Sequence, residues 1–242
     1  MATTASSQLS DLLELVAKSL DISDELYDEA VKKYEEIGHW LDEKDQEQGR
    51  REPRVYPQGS FRLGTVIRPI SDTDEYDIDL VYERDLKKES TTQGKLKIEA
   101  GVHLTSFVKY LAESHRPAPT INEGCRCWTL KYQDQFHMDL LPAIPNSDDR
   151  ANNGDHTKTN ILITDKGLHE WQHSDPIGYA EWFKDQMRIQ FLEKRADVAR
   201  KELQARGQTL NEELVEAAAE KVPDYKVKTP LQRAIQILKR HR

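Results

Sequence analysis

With 242 residues, the chain is long enough for one large domain, or for a domain with part of a second. Its 43 acidic and 35 basic residues leave a net charge of −8, which excludes a uniformly basic coat protein, and no direct nucleic-acid binding is expected. No apolar run reaches the about 18 residues of a membrane span, and the first eight residues lack the basic start and apolar core of a secretory signal. The expectation is a cytoplasmic protein without a membrane partner.

Leu9, Leu12, Leu13, Val16 and Leu20 predict a first helix over 8–20. Ser23 and Asp24 cap a second helix to about residue 48, with Leu26, Ala30, Val31, Tyr34, Ile37 and Leu41 as its apolar stripe. Residues 54–58 are a short extended segment. Gly59-Ser60 opens a helical turn, and a polar loop broken by Pro69 runs to about residue 75. Residues 77–82 read as a strand. A helix follows over 94–115, with Ile98, Val102, Leu104, Phe107, Val108 and Leu111 apolar. Residues 125–132 and 136–144 form a hairpin of two strands joined at Gln133-Asp134-Gln135. A polar loop with a turn at Asn152-Asn153-Gly154 leads to a short strand at 161–163.

From Asp175 onward only helix signals remain, over 178–206 and 209–221. After the break at Pro223, a final helix carries Leu231, Ala234, Ile235 and Leu238 at i, i+3, i+4, i+7 spacing. This order is an α+β fold, a mixed sheet with flanking helices. N-terminal helices (1–50) pack on a core (51–170), and a helical lobe follows (171–242). The last helix has no closing glycine or proline. A basic helix end suits the dipole, whereas the unfinished pattern points to an N-terminal part of a longer protein with an incomplete lobe. Cys125 and Cys127, two residues apart, make a poor disulfide and an incomplete zinc site, and read as strand thiols in a reducing compartment.

The chemistry sits in three places. In Asp77-Ile78-Asp79-Leu80, alternate residues share a strand face, so the two carboxylates project together while Ile78 and Leu80 turn to the core. Asp139, between Met138 and Leu140, has the same logic on a later strand. Oxygen-only ligands suit a hard cation, so three converging carboxylates are expected to hold two Mg²⁺, or Mn²⁺ in its place. Ahead of them, Gly59 lets the backbone approach a phosphate, and Ser60 adds a hydroxyl beside free N–H groups. The rival pair Asp72 and Asp74 is followed by no apolar run, so it reads as a solvated acidic loop.

The ordered combination of Gly-Ser, acid-apolar-acid and a third acid resembles the nucleotidyltransferase superfamily related to DNA polymerase β. Within it, the stretches 58–65, 77–81, 137–143, 178–183 and 230–242 resemble the bacterial cGAS/DncV-like nucleotidyltransferases. The resemblance implies a polymerase β-like nucleotidyltransferase core joined to a helical lobe. Gly59 and Ser60 would hold the β- and γ-phosphates of ATP, GTP or another NTP, and Asp77, Asp79 and Asp139 would serve as metal ligands and catalytic groups. It also implies synthesis of a cyclic di- or trinucleotide that reaches a downstream effector in CBASS antiphage defence. Nucleotidyl transfer to a protein or RNA acceptor, and a non-catalytic nucleotide sensor, are the rival expectations. Around the acids, His137 shares the face of Asp139 and reads as a hydrogen-bonded strand residue or a substrate contact, and Arg62 as facing phosphate or solvent. Trp128 and Trp171 are candidates to stack a base, Trp182 is expected in the core beside Phe183, and Lys239, Arg240 and Arg242 read as a solvated helix face.

Overall fold

The computed structural model describes residues 2–51, 53–69, 75–133, 136–148, 158–168 and 170–241. Asp72, Asp74, the turn at 152–154 and the Asp134-Gln135 connection lie outside them. The chain divides into two compact units, Ile22–Arg62 with Arg68–Ala180, and Met1–Asp21 with Leu63–Ile67 and Glu181–Arg242. This grouping by contact differs from three consecutive segments, because the first helix groups with the last ones.

The larger unit is built on one sheet. Its elements are α2 (Asp24–Glu47), β1 (Arg54–Pro57), α3 (Gly59–Leu63), β2 (Tyr76–Glu83), α4 (Gln93–Glu113), β3 (Thr120–Glu123), β4 (Trp128–Lys131), β5 (Phe136–Pro145), β6 (Ile161–Ile163) and β7 (Gln172–Ser174). The helices begin where side chains satisfy the free N–H groups of the first turn. Ser23 accepts from Leu26 N at the start of α2, and Thr92 from Lys95 N at the start of α4. The sheet order is β1-β2-β5-β4-β3, with β6 also on β5 and β7 on β6. Among the described residues, only the β2–β5 pair is parallel. β5 is long enough to share one edge, with β4 beside 137–140 and β6 beside 143–145.

The two faces of β2 differ. Ile78, Leu80 and Tyr82 are fully buried on one face, with Met138 and Leu140 of β5 opposite Ile78 and Leu80 in register. That face meets α2 and α4, where the Tyr82 hydroxyl donates to Asp45 (2.7 Å) and lies 3.1 Å from His103 Nδ1. Arg84, 1% exposed, is held there by Asp45 and by Glu99 at 2.7 Å. On the other face, Val81 joins Tyr56, Leu141, Ala143, Ile161, Ile163 and Ile177 in a second core cluster. The near end of that face, at Asp77 and Asp79, is left open.

Several expectations change here. β3 and β7 carried no strong pattern, being short and mostly exposed. Cys125 and Cys127 are not on a strand; they lie in the connection from β3 to β4, closed by Gly124 N donating to Cys127 O at 3.0 Å. On α4, Leu96, Ala100, Leu104, Phe107 and Leu111 form the buried stripe, so Ile98 and Val102 turn outward. Trp128 packs on Gly101, where a Cβ would overlap its ring, and donates to Lys97 O at 2.9 Å.

The smaller unit contains α1 (Ala2–Lys18), α6 (Arg188–Ala205), α7 (Glu212–Ala219) and α8 (Pro230–His241), with α5 (Pro176–Gln186) leading into it. The long helix expected over 178–206 breaks at Met187. On α5, Ile177, Ala180 and Phe183 are buried, and Trp182 falls off that stripe and is exposed. The last helix inverts its expected orientation. Leu231 and Leu238 are exposed, while Gln232, Arg233 and Gln236 are buried. The reason is the irregular 63–67 segment, whose buried carbonyls need donors. Gln232 supplies one to Leu63 O (2.8 Å), Gln236 to Val66 O (2.9 Å) and Lys239 to Thr65 O (3.2 Å). Arg233 and Gln236 also bind Asp21 at 2.8 and 2.9 Å, tying the end of α1 to α8.

Candidate active site

The parallel register of β2 and β5 sets Asp79 directly opposite Asp139, and Asp77 opposite His137. Neighbouring strands are about 4.8 Å apart, so the four side chains share one face at one end of the sheet. Asp77 is 60% exposed, and Asp79 and Asp139 are half-buried.

Each carboxylate has its own support. The Thr129 hydroxyl on β4 donates to Asp139 Oδ1 at 2.5 Å, because Thr129 is its register partner. His137 Nε2 stands 3.1 Å from Asp77 Oδ1 while its Nδ1 is 3.3 Å from Glu75 Oε2, and Lys131 pairs with the other Glu75 oxygen at 2.9 Å. The hydrogen bond from Lys131 is the main reason the Glu75 carboxyl is held below its ordinary pKa, with His137 adding to it. Lys131, Glu75, His137 and Asp77 thus form a polar chain that ends on a candidate metal ligand. Alternation along the strand already put His137 on the face of Asp139; that it meets Asp77 needs the register.

Asp79 meets the Gly59-Ser60 turn. Gln58 N donates to Asp79 O at 2.8 Å, which pins the end of β1 to β2. Gly59 then adopts φ +56, and a Cβ there would overlap Asp79 Oδ2 and lie 3.2 Å from Asp79 Cγ. A positive φ and a backbone pressed on a carboxylate both call for glycine. Ser60, next in the chain, is half-buried at the start of α3. Arg62 is half-buried; it lies over the Tyr56 ring, 6.0 Å from the centroid, and donates to Pro57 O at 3.4 Å.

Among the described residues, no three His, Cys, Asp or Glu side chains are drawn together closely enough to form a finished metal cage. The three carboxylates on one face still fit a hard divalent cation, which prefers oxygen ligands. Cys127 lies beside this face, and burial, then the charge of Asp139, pushes its thiol pKa up. No helix among the described residues is long and apolar enough to cross a membrane.

Residues 5–186 match the model of the Second Messenger Oligonucleotide or Dinucleotide Synthetase (SMODS) domain. The chain is 28% identical to a c-di-GMP synthase of Roseivirga ehrenbergii, over 100% of this chain and 56% of that protein. It is 27% identical to the cyclic dinucleotide synthase CdnG of Bradyrhizobium diazoefficiens, over 56% of this chain and 30% of the relative. The solved structure of the B. diazoefficiens CD-NTase CdnG in complex with GTP shares its fold, with a TM-score of 0.66 at 21% identity over 95% of this chain and 62% of that one. The chain therefore spans little more than half the length of the first of these curated relatives.

Proposed function

The chain belongs to the Second Messenger Oligonucleotide or Dinucleotide Synthetase family, and we propose that it joins nucleoside triphosphates, GTP among them, into a cyclic di- or trinucleotide and releases pyrophosphate. The observation that carries this reading is the β2–β5 register, which sets Asp79 against Asp139 with Asp77 on the same face. The cyclic product and the guanine base rest on the relatives, named as a c-di-GMP synthase and a cyclic dinucleotide synthase, and on the GTP-bound neighbour.

In this reading Gly59 and Ser60 hold the donor's β- and γ-phosphates, since glycine admits the phosphate to the backbone and Ser60 adds a hydroxyl donor. Asp77, Asp79 and Asp139 hold two Mg²⁺, with Mn²⁺ as a substitute. When bound, these ions neutralise the polyphosphate and lower the pKa of the acceptor ribose hydroxyl. Asp139 accepts the hydroxyl proton at Oδ2, because Thr129 already donates to Oδ1. His137 and Thr129 keep two of the carboxylates oriented, so the site contributes mainly positioning and charge. The setting is the cytoplasm, where nucleotides are abundant and the two free cysteines stay reduced. The product acts on a separate effector in antiphage defence.

The test incubates the protein with labelled ATP, GTP, CTP and UTP plus Mg²⁺ or Mn²⁺, then with phosphatase. A phosphatase-resistant small product, absent from Asp77→Asn and Asp79→Asn, is expected. Label on a protein or RNA would replace the reading with transfer to a macromolecule. Nucleotide binding without turnover would replace it with a sensor.

A further inference from the structure

The smaller unit contains a groove of about 210 Å³ whose lining runs against the charge of the whole chain. The chain is −8 overall, yet the groove gathers Lys18, Lys194, Lys201, Lys226, Lys228 and Arg233 from α1, α6, the stretch leading into α8 and α8 itself. Three carboxylates share the lining and are partly engaged already. Asp197 pairs with Arg200 at 2.9 Å, and Glu14 is 3.8 Å from Lys18. Among the described residues, Lys194, Lys201 and Lys228 have no ion-pair partner.

One buried and one half-buried donor make this more than a solvated basic surface. Arg233 is nine-tenths buried. Its Nη1 is occupied by Ala17 O, Asp21 and Gln236, but its Nε has no hydrogen-bond acceptor, and Glu14 Oε1 stands 3.9 Å away. Lys228 donates to Gly64 O at 2.9 Å, one acceptor for an ammonium with three donors. Burial pulls its pKa down to about 8; the attraction of Asp21 works against this and the repulsion of Arg233 adds to it. A partly desolvated cation and a buried orphan N–H are both costly unless an anion completes them.

We propose that this groove is a binding site for a phosphoryl anion, held by Lys228 and Arg233 at its floor and by Lys194 and Lys201 on α6. A phosphoryl group offers several acceptor oxygens at once and suits a guanidinium and an ammonium together. Among the described residues of the lining Val198 is the one apolar side chain and none is aromatic, so no aromatic ring is offered for a nucleobase to stack on. The groove therefore takes the anion without its nucleoside, either free pyrophosphate or a polyphosphate tail whose nucleoside stays outside. This assignment rests on the helical unit alone and does not depend on the carboxylates of the sheet.

The experiment titrates the purified protein with inorganic pyrophosphate in EDTA, at constant ionic strength set with chloride, by calorimetry or ³¹P NMR. EDTA removes the metal that pyrophosphate needs at the carboxylate face. Saturable one-to-one binding is expected, unchanged in Ser60→Ala and weakened by about tenfold or more in Lys228→Gln and in Lys194→Gln. Lys194→Gln changes a half-exposed position, so it keeps the test valid if Lys228→Gln folds poorly. Displacement of pyrophosphate by GTP assigns the site to a nucleotide's tail, and indifference to GTP assigns it to the free anion. No saturable binding, or unchanged affinity in both folded lysine variants, overturns the proposal.

Discussion

Gly59→Ala separates backbone strain from damage to the site. Alanine at φ +56 sits in the left-handed region, which costs about 1–2 kcal/mol. At roughly 2–4 °C per kcal/mol for a chain of this size, Tm falls by about 2–8 °C. The added Cβ also overlaps Asp79 Oδ2, so the carboxylate must swing away by about 1 Å to regain van der Waals distance. A displacement of that size at a reacting centre costs on the order of 100-fold in rate. Gly49→Ala is the control, because Gly49 has φ +69 but nothing within 4 Å of the place its Cβ would take. Both variants are expected to lose similar Tm by differential scanning fluorimetry. Only Gly59→Ala is expected to lose product formation from NTPs and Mn²⁺ affinity measured by EPR. If Gly59→Ala keeps its activity and Mn²⁺ affinity within about threefold of the parent, the apposition of Gly59 and Asp79 has no functional weight.

Three further outcomes are expected. Asp45→Ala leaves Arg84, 1% exposed, with Glu99 as its remaining carboxylate partner and should cost about 3–5 kcal/mol in urea unfolding, a loss reduced in the Asp45→Ala/Arg84→Met double variant; a loss under about 1 kcal/mol contradicts the buried pair. His137→Ala frees the Asp77 carboxylate and should weaken Mn²⁺ binding roughly 10–100-fold with little change in Tm; equal Mn²⁺ affinity would remove His137 from the site. Lys228 is held at about 8 against an ordinary 10.5, so between those values the unfolded chain binds more protons and the Lys228 contribution to stability rises with pH. The parent should therefore gain Tm relative to Lys228→Gln from pH 8 to 10.5, and a constant difference argues against a desolvated ammonium.

The candidate site was legible where its signals were local. Alternation placed Asp77 and Asp79 on one face and turned Ile78 and Leu80 inward, and the same rule served Asp139 between two buried residues. Gly59 was singled out for a phosphate, and the structure adds a second demand for glycine, the Asp79 carboxylate pressed against it. What failed were choices between equivalent local patterns. On α4, Ile98 and Val102 counted as apolar but lie off the buried stripe. Trp182 has a core residue's chemistry and an exposed position.

The sequence by itself determined the periodic elements and the residue types at the head of β2 and β5, because strand and helix periods are properties of consecutive residues. Only the tertiary structure decided which strands became neighbours. The parallel pairing of Asp79 with Asp139 joins residues 60 positions apart and brings His137 to Asp77. It also decided which face of α8 was buried. An apolar stripe says that a helix has two faces, not which one is covered; here Gln236 satisfies Val66 O, 170 residues away, and that demand for backbone donors turned Leu231 and Leu238 outward.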